Sequence, residues 1–145
     1  MISCNQLRIG NYVLAQGGFQ RVILIKETGA SGIAFGLQDA DSGALAELAA
    51  DAVQPVPLND DVLVQCGFVY HPYFQFWQLP ASAGSTRSEL DVDQDYNVID
   101  FMRKPIVRRV SSLHQLQNVF FMMHDREMPV GAYAEHPAPQ QNVLA

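Results

Sequence analysis

Gly17-Gly18-Phe19-Gln20-Arg21-Val22-Ile23-Leu24-Ile25-Lys26-Glu27-Thr28-Gly29 is the stretch from which the fold is read. Branched and aromatic side chains fill its centre and glycines punctuate both ends, the pattern of a strand between turns. Its apolar middle, Val22-Ile23-Leu24-Ile25, predicts a strand covered on both faces. Before it, Leu7, Ile9, Tyr12, Val13 and Leu14 surround Gly10-Asn11 as a first strand, and Gly17-Gly18 makes the turn. After it, Gly29–Gly32 turns the chain into a strand over Ile33–Gln38, which ends in the turn cluster Asp39-Ala40-Asp41-Ser42-Gly43. The Ala-rich piece that follows has helical propensity but lies between strands. It reads as a strand over Ala44–Leu48, a helical turn and a last strand over Gln54–Pro57. Five short strands with tight turns predict an SH3-like β-barrel over residues 1–57.

The next segment carries both ends of a short helix. Asn59 is an N-cap, Asp60 and Asp61 put negative charge on the first turn, and Gly67 stands where a left-handed residue closes a helix. Leu63 and Phe68 then make the apolar contact of a Schellman ending. Tyr70–Leu79 reads as an aromatic strand, Pro80–Ser88 as a polar loop, and Tyr96–Met102 and Pro105–Val110 as two further strands. Ser112 and Gln115 form a capping box for a second helix from Leu113 to about Arg126. Leu113, Leu116, Phe120 and Met123 give it one apolar stripe. The expected architecture is α+β: an N-terminal SH3-like barrel, a short helix, a small antiparallel sheet and a C-terminal helix. Residues 1–128 form one unit, with the barrel at 1–57 and helix-sheet-helix at 58–128. Residues 129–145, rich in Pro, Ala, Gln and His, read as a flexible tail.

A chain of 145 residues is the size of one domain, with enough length to bury a core unaided by metal or disulfide. Hydrophobic content of 48% against 17% charged residues excludes a disordered or coiled-coil protein. A net charge of −6 opposes general nucleic-acid binding but leaves room for a local basic site. Cys4 and Cys66 stand far apart with no metal-type spacing, as in a reduced, cytoplasmic protein. The start has no basic and apolar leader pattern, and no apolar run approaches the ~20 residues of a membrane span.

Three segments, taken together, resemble a family. They are Leu7-Arg8-Ile9-Gly10-Asn11-Tyr12-Val13, then Pro55-Val56-Pro57-Leu58-Asn59-Asp60-Asp61 with Cys66-Gly67-Phe68, then His114-Gln115-Leu116-Gln117-Asn118-Val119-Phe120-Phe121. The order is similar to that of short uncharacterised proteins from Bacteroidetes genomes, prophages and phages. Their pattern is an LRIGN(W/Y)V start, a PIPLTEE helix with CGF, and a terminal HQLQNLYF. The resemblance spans about the first 125 positions. The chain departs from it in the Ala-rich segment and at Met122-Met123-His124-Asp125, where relatives continue as ALTGEEL. It implies a shared architecture and a phage or mobile-element setting, and supplies no activity.

Several residues are candidates for a site. His114, Gln117 and Asn118 lie at i, i+3 and i+4 and share a helical face that is suited to reading a polar edge. The alternative is that they bind backbone groups of the neighbouring barrel and lock the helix in register. Arg103, Lys104, Arg108 and Arg109 are the basic concentration, which either holds phosphates, or is ordinary solvated charge, or pairs with acids such as Asp91, Asp93 and Asp95. Tyr73, Phe76 and Trp77 are core or a stacking platform for bases. The histidines lack zinc spacing, and the Asp91, Asp93, Asp95 rhythm lacks the glycine and closing glutamate of a calcium loop. No metal, cofactor or catalytic residue is assigned.

The expected role is non-catalytic binding of a partner protein or small polar ligand through His114, Gln117, Asn118, Trp77 and Arg108. A nucleotide-sequestering protein using the arginines and aromatics is the first alternative, and an enzyme built on His114 the second. Arg87, Arg103 and Arg108 gathered at one pocket would favour nucleotides; a flat apolar patch would favour a protein partner.

Overall fold

Gln16 and Gly17 both take left-handed backbone, with φ of 53° and 78°. That is the demand of the two-residue turn whose twist matches a β-hairpin. It sets Ala15 opposite Gly18 and pairs β1 (Tyr12–Ala15) with β2 (Gly18–Thr28). The computed structural model describes residues 6–29, 32–82 and 85–131. β2 pairs with β3 (Gly32–Asp39), which pairs with β4 (Leu45–Ala49). A 3-10 turn over Ala50–Ala52 leads to β5 (Gln54–Pro55), which returns to β1. The strand, helical turn and strand expected of the Ala-rich segment are all present.

The sheet order is β4-β3-β2-β1-β5, so the sequence neighbours β4 and β5 stand on opposite edges. Five residue steps reach at most about 18 Å, whereas four spacings across a flat sheet need about 19 Å. The sheet must therefore curl, but it does not close. This corrects the expected SH3-like barrel: the segment is an open antiparallel sheet. β5 has only two residues, one of them a proline without an N–H, and offers too little edge to complete a barrel.

β2 is also not covered on both faces. Val22 is fully buried, but Leu24 is 44% exposed. A register shift between them changes the phase, so that Val22 and then Ile25 turn inward. Leu7, Val13, Ala15, Val22, Phe35, Leu37 and Val53 make the core of this sheet.

α1 (Asp60–Gln65) has the expected caps. The Val62 N–H donates to Asn59 Oδ1 at 2.9 Å. Gly67 is left-handed at φ 96°, and the Phe68 and Gly67 N–H groups donate to the Leu63 and Val64 carbonyls, each at 3.0 Å. Leu63 and Phe68 are buried, which anchors so short a helix.

The second sheet is a meander in the order β10-β9-β8-β7-β6. Its strands are β6 (Val69–His71), β7 (Phe76–Pro80), β8 (Ser88–Asp93), β9 (Val98–Ile99) and β10 (Pro105–Val107). Tyr70–Leu79 is thus a hairpin and not one strand: His71 pairs with Phe76, and Gln75 is left-handed at φ 59°. The strand expected over Tyr96–Met102 shrinks to two residues because aspartates capture turn N–H groups. Asp93 Oδ1 accepts from Asp95 (2.9 Å) and Asn97 (3.0 Å), and Asp100 Oδ1 from Met102 and Lys104 (both 2.9 Å). The strand expected over Pro105–Val110 stops at Val107, and Arg109 is left-handed at φ 51°.

α2 (Leu113–His124) starts at Ser112, whose Oγ accepts the Gln115 N–H at 3.4 Å. The capping box is half-formed, because Gln115 Oε1 accepts from Ser111 N–H and Oγ–H, both 3.0 Å, and not from Ser112. The helix ends at His124, before the expected Arg126, on a left-handed Asp125. Leu113, Leu116 and Phe120 are fully buried, but Met123 is 48% exposed. The inward face continues through His114 and Gln117 instead. Leu113, Leu116 and Phe120 join Val62, Leu63, Phe68, Leu79, Leu90 and Val92 in the larger core.

Backbone bonds from Leu58 N–H to the Ser111 carbonyl (3.0 Å) and from Leu113 N–H to the Val56 carbonyl (2.9 Å) hold the starts of both helices side by side. Met128 and Val130 are buried in the larger core, so the packed chain runs past residue 128. The tail expectation for 132–145 lies outside the described residues. Among the described residues no helix is long and apolar enough to cross a membrane.

Candidate functional site

Of the helical residues His114, Gln117 and Asn118, the last two turn toward the N-terminal segment. Gln117 is 1% exposed, and both ends of its amide are engaged. Oε1 accepts the Tyr12 N–H at 2.9 Å, and Nε2 donates to the Gly10 carbonyl at 3.1 Å. Asn118 Oδ1 accepts from Asn11 Nδ2 (2.9 Å) and Arg8 Nε (3.3 Å), and its Nδ2 donates to the Gln6 carbonyl (2.9 Å). Arg8 then lies 4.2 Å from the Phe121 ring centre and pairs with Glu127. The Leu-Arg-Ile-Gly-Asn and His-Gln-Leu-Gln-Asn motifs are therefore two halves of one clasp. Their polar atoms serve the fold before any ligand.

His114 is 2% exposed and gives a substrate no surface to reach. Among the described residues its Nδ1 has no partner, and its Nε2 lies 3.5 Å from Ser112 Oγ, the hydroxyl that caps the helix. Burial lowers the imidazole's pKa and keeps it neutral. Cys66 is buried likewise, its thiol pushed up to about 12 by desolvation, which leaves it unreactive. Cys4 lies outside the described residues.

Trp77 and Arg108 do not join that face. Arg108 is exposed beyond β10, where with Arg109 it lines two clefts of about 360 and 690 Å³. The smaller one also touches Asn118 and Gln115, so Asn118 and Arg108 are the two expected site residues that share a cavity. Trp77 lines a third cleft of about 460 Å³ with Asp60, Tyr70, Gln94 and Tyr96. There Tyr70 and Trp77 have ring centres 5.0 Å apart, the Tyr96 hydroxyl donates to Asp60 Oδ1 (2.7 Å), and Gln94 Nε2 donates to the Tyr70 hydroxyl (2.7 Å). Desolvation, and then the Asp60 carboxylate, push the Tyr96 phenol up to about 12.

Of the two readings of the basic run as surface charge, pairing with Asp91, Asp93 and Asp95 is not seen among the described residues, while Arg108 and Arg109 are exposed as solvated charge is. Asp91 accepts from the Ser88 hydroxyl (2.5 Å) and Asp93 closes its turn. Arg103 instead stands over Phe74 at 4.2 Å and Phe76 at 5.4 Å. Among the described residues no group of three His, Cys, Asp or Glu side chains is placed to hold a metal.

The sequence reading missed a surface at this end of the second sheet. The β6–β7 turn exposes Tyr73 (87%) and Phe74 (50%), and the β9–β10 turn exposes Phe101 (91%) and Met102 (64%). Arg103 joins the two turns through its contact with Phe74, and Ile106 on the edge strand β10 is 52% exposed. Pro72 was the available signal. A residue without an N–H in mid-run argues for a turn, which would have put Tyr73 and Phe74 outside. No protein-family model, curated protein or solved structure matches the chain.

Proposed function

We propose that this is a non-catalytic binding module that docks a partner protein through Tyr73, Phe74, Phe101, Met102, Arg103 and Ile106. The observation that supports the reading is the near-complete exposure of Tyr73 and Phe101 on two turns joined by an arginine. Aromatic residues, Met and Arg are the types enriched where proteins meet, and large apolar side chains left in water gain most from being covered. The edge strand β10 adds unpaired backbone groups beside the patch. A cytoplasmic setting and a phage or mobile-element context fit a small binding module of this kind.

The test is a native mass spectrum of the protein purified from its host, beside a Tyr73→Ser/Phe101→Ser variant. A bound protein lost in the variant, with the melting temperature unchanged, supports the proposal. A partner retained by the variant overturns this surface.

A nucleotide ligand is the second reading. It draws on Arg108 and Arg109, which line adjoining clefts. Arg87 and Arg103 line neither cleft, which weakens it.

A further inference from the structure

The cleft lined by Tyr70, Trp77, Tyr96, Asp60 and Gln94 is separate in chemistry from the patch above. Three aromatic side chains converge on a cavity of about 460 Å³, a volume within the range of small-ligand sites. One exposed carboxylate, Asp60, stands among them, and no Lys or Arg lines the cavity. Aromatic faces and a carboxylate are both negative toward a guest and favour a cation, although Arg108 and Arg109 line the neighbouring cleft that shares Gln94 and Tyr96. The chain's net charge of −6 acts in the same sense.

The rings are held in place. Tyr70 leans on Trp77 at 57° between planes, and its hydroxyl accepts from Gln94. Tyr96 takes left-handed backbone at φ 61°, a conformation that a bulky side chain adopts only when its surroundings impose it. Its hydroxyl is spent on Asp60, so the ring and not the hydroxyl is presented to a guest. The Tyr96 hydroxyl spends its proton on Asp60 and Trp77 is nearly buried, so the Tyr70 hydroxyl, which accepts from Gln94, is the one ring hydroxyl with a proton left to donate.

We propose that this cleft binds a methylated ammonium group, held by the faces of Tyr70, Trp77 and Tyr96 and neutralised by Asp60. A tetrahedral cation stripped of N–H donors suits such a wall better than a bare ammonium, which demands hydrogen bonds and holds its water more tightly.

Trp77 is the single tryptophan of the chain, so its fluorescence reports on this cavity. The experiment titrates the full chain with choline and with 3,3-dimethylbutan-1-ol, its neutral isostere, at constant ionic strength. The expected result is a saturable change with choline and binding at least tenfold weaker for the alcohol. Asp60→Asn should weaken choline by about tenfold, and Tyr96→Leu, checked for an unchanged circular dichroism spectrum, should weaken it further. A second arm compares choline with an Nα-acetyl trimethyllysine amide. Saturable binding of either supports the proposal, and the tighter one tells whether the cation arrives as a free molecule or on a protein side chain. No saturable change with either cation, equal binding of the alcohol, or unchanged affinity in Asp60→Asn overturns it.

Discussion

Gln117 stands beside Tyr12 as a neighbouring strand would. Its side-chain amide accepts from the Tyr12 N–H at 2.9 Å and donates to the Gly10 carbonyl at 3.1 Å, the two backbone groups that flank Asn11. A residue of a parallel strand makes the same pair of bonds with the residues on either side of its partner. One helical side chain thus extends the pairing of β1 at a point where β5 no longer reaches, since β5 pairs only with Val13 and Leu14.

Gln117→Ala should therefore lower stability by about 1–3 kcal/mol, because two backbone groups lose their partner in a dry place. A chemical denaturation curve with a reduced midpoint and an unchanged slope is the expected outcome. An unchanged midpoint would show that water or a rearranged side chain replaces the amide.

Leu116 and Met123 separate the observed helix register from the one expected of the sequence. Leu116→Ala should cost about 2–5 kcal/mol, as for other fully buried leucines. Met123→Ala should stay within about 0.5 kcal/mol, since its side chain is half in water. Equal costs at the two positions would contradict the register.

His114 makes stability depend on pH. Burial holds its pKa below the ordinary 6.5, so the unfolded chain takes up the proton first as pH falls. The contribution of neutral His114 is complete above the unfolded value and declines from about pH 6.5 toward the lower folded value. The unfolding midpoint of the parent should fall more steeply from about pH 7 to about pH 5 than that of His114→Leu. Parallel profiles would show that the imidazole titrates alike in both states.

Gly131 closes the packed chain against α1. A Cβ built there would stand 1.9 Å from the Gln65 carbonyl oxygen, and its φ of 60° is left-handed as well. Gly131→Ala should destabilise by more than about 1 kcal/mol, through backbone that must move and a conformation alanine resists. A chain ended after Glu127, which lacks the buried Met128 and Val130, should lose about 2–5 kcal/mol. Melting temperatures near the parent's for both would detach this segment from the core.

What the sequence disclosed was what it decides locally. Asn59, Gly67 and the Leu63–Phe68 contact lie within ten residues and define α1 without help from elsewhere. Strand β8 escaped notice because Glu89, Asp91 and Asp93 alternate with Leu90 and Val92. Acidic residues at strand positions read as loop until partners on both sides supply the pairing. Barrel closure was likewise a question of where two edges meet across the sheet. Gln117 and Asn118 both reach the segment around Asn11, whereas His114 lies by Ser112. An amide serves water and backbone equally well, however, and their partners near Asn11 lie more than 100 positions away. Trp77 and Arg108 fell into different cavities because the meander sets β8 and β9 between β7 and the chain that follows β10.

The clasp also orders events during synthesis. The first sheet draws its core from residues 7 to 53 and can condense as soon as that length has left the ribosome. The Gly10 carbonyl, the Tyr12 N–H and the side-chain nitrogens of Arg8 and Asn11 meet Gln117, Asn118 and Glu127 only when those residues have been made. Until then the start of β1 is a bare edge, the kind of backbone that pairs with another chain. That interval, before Gln117 and Asn118 have been made, is when this edge is open to pairing with a neighbouring chain.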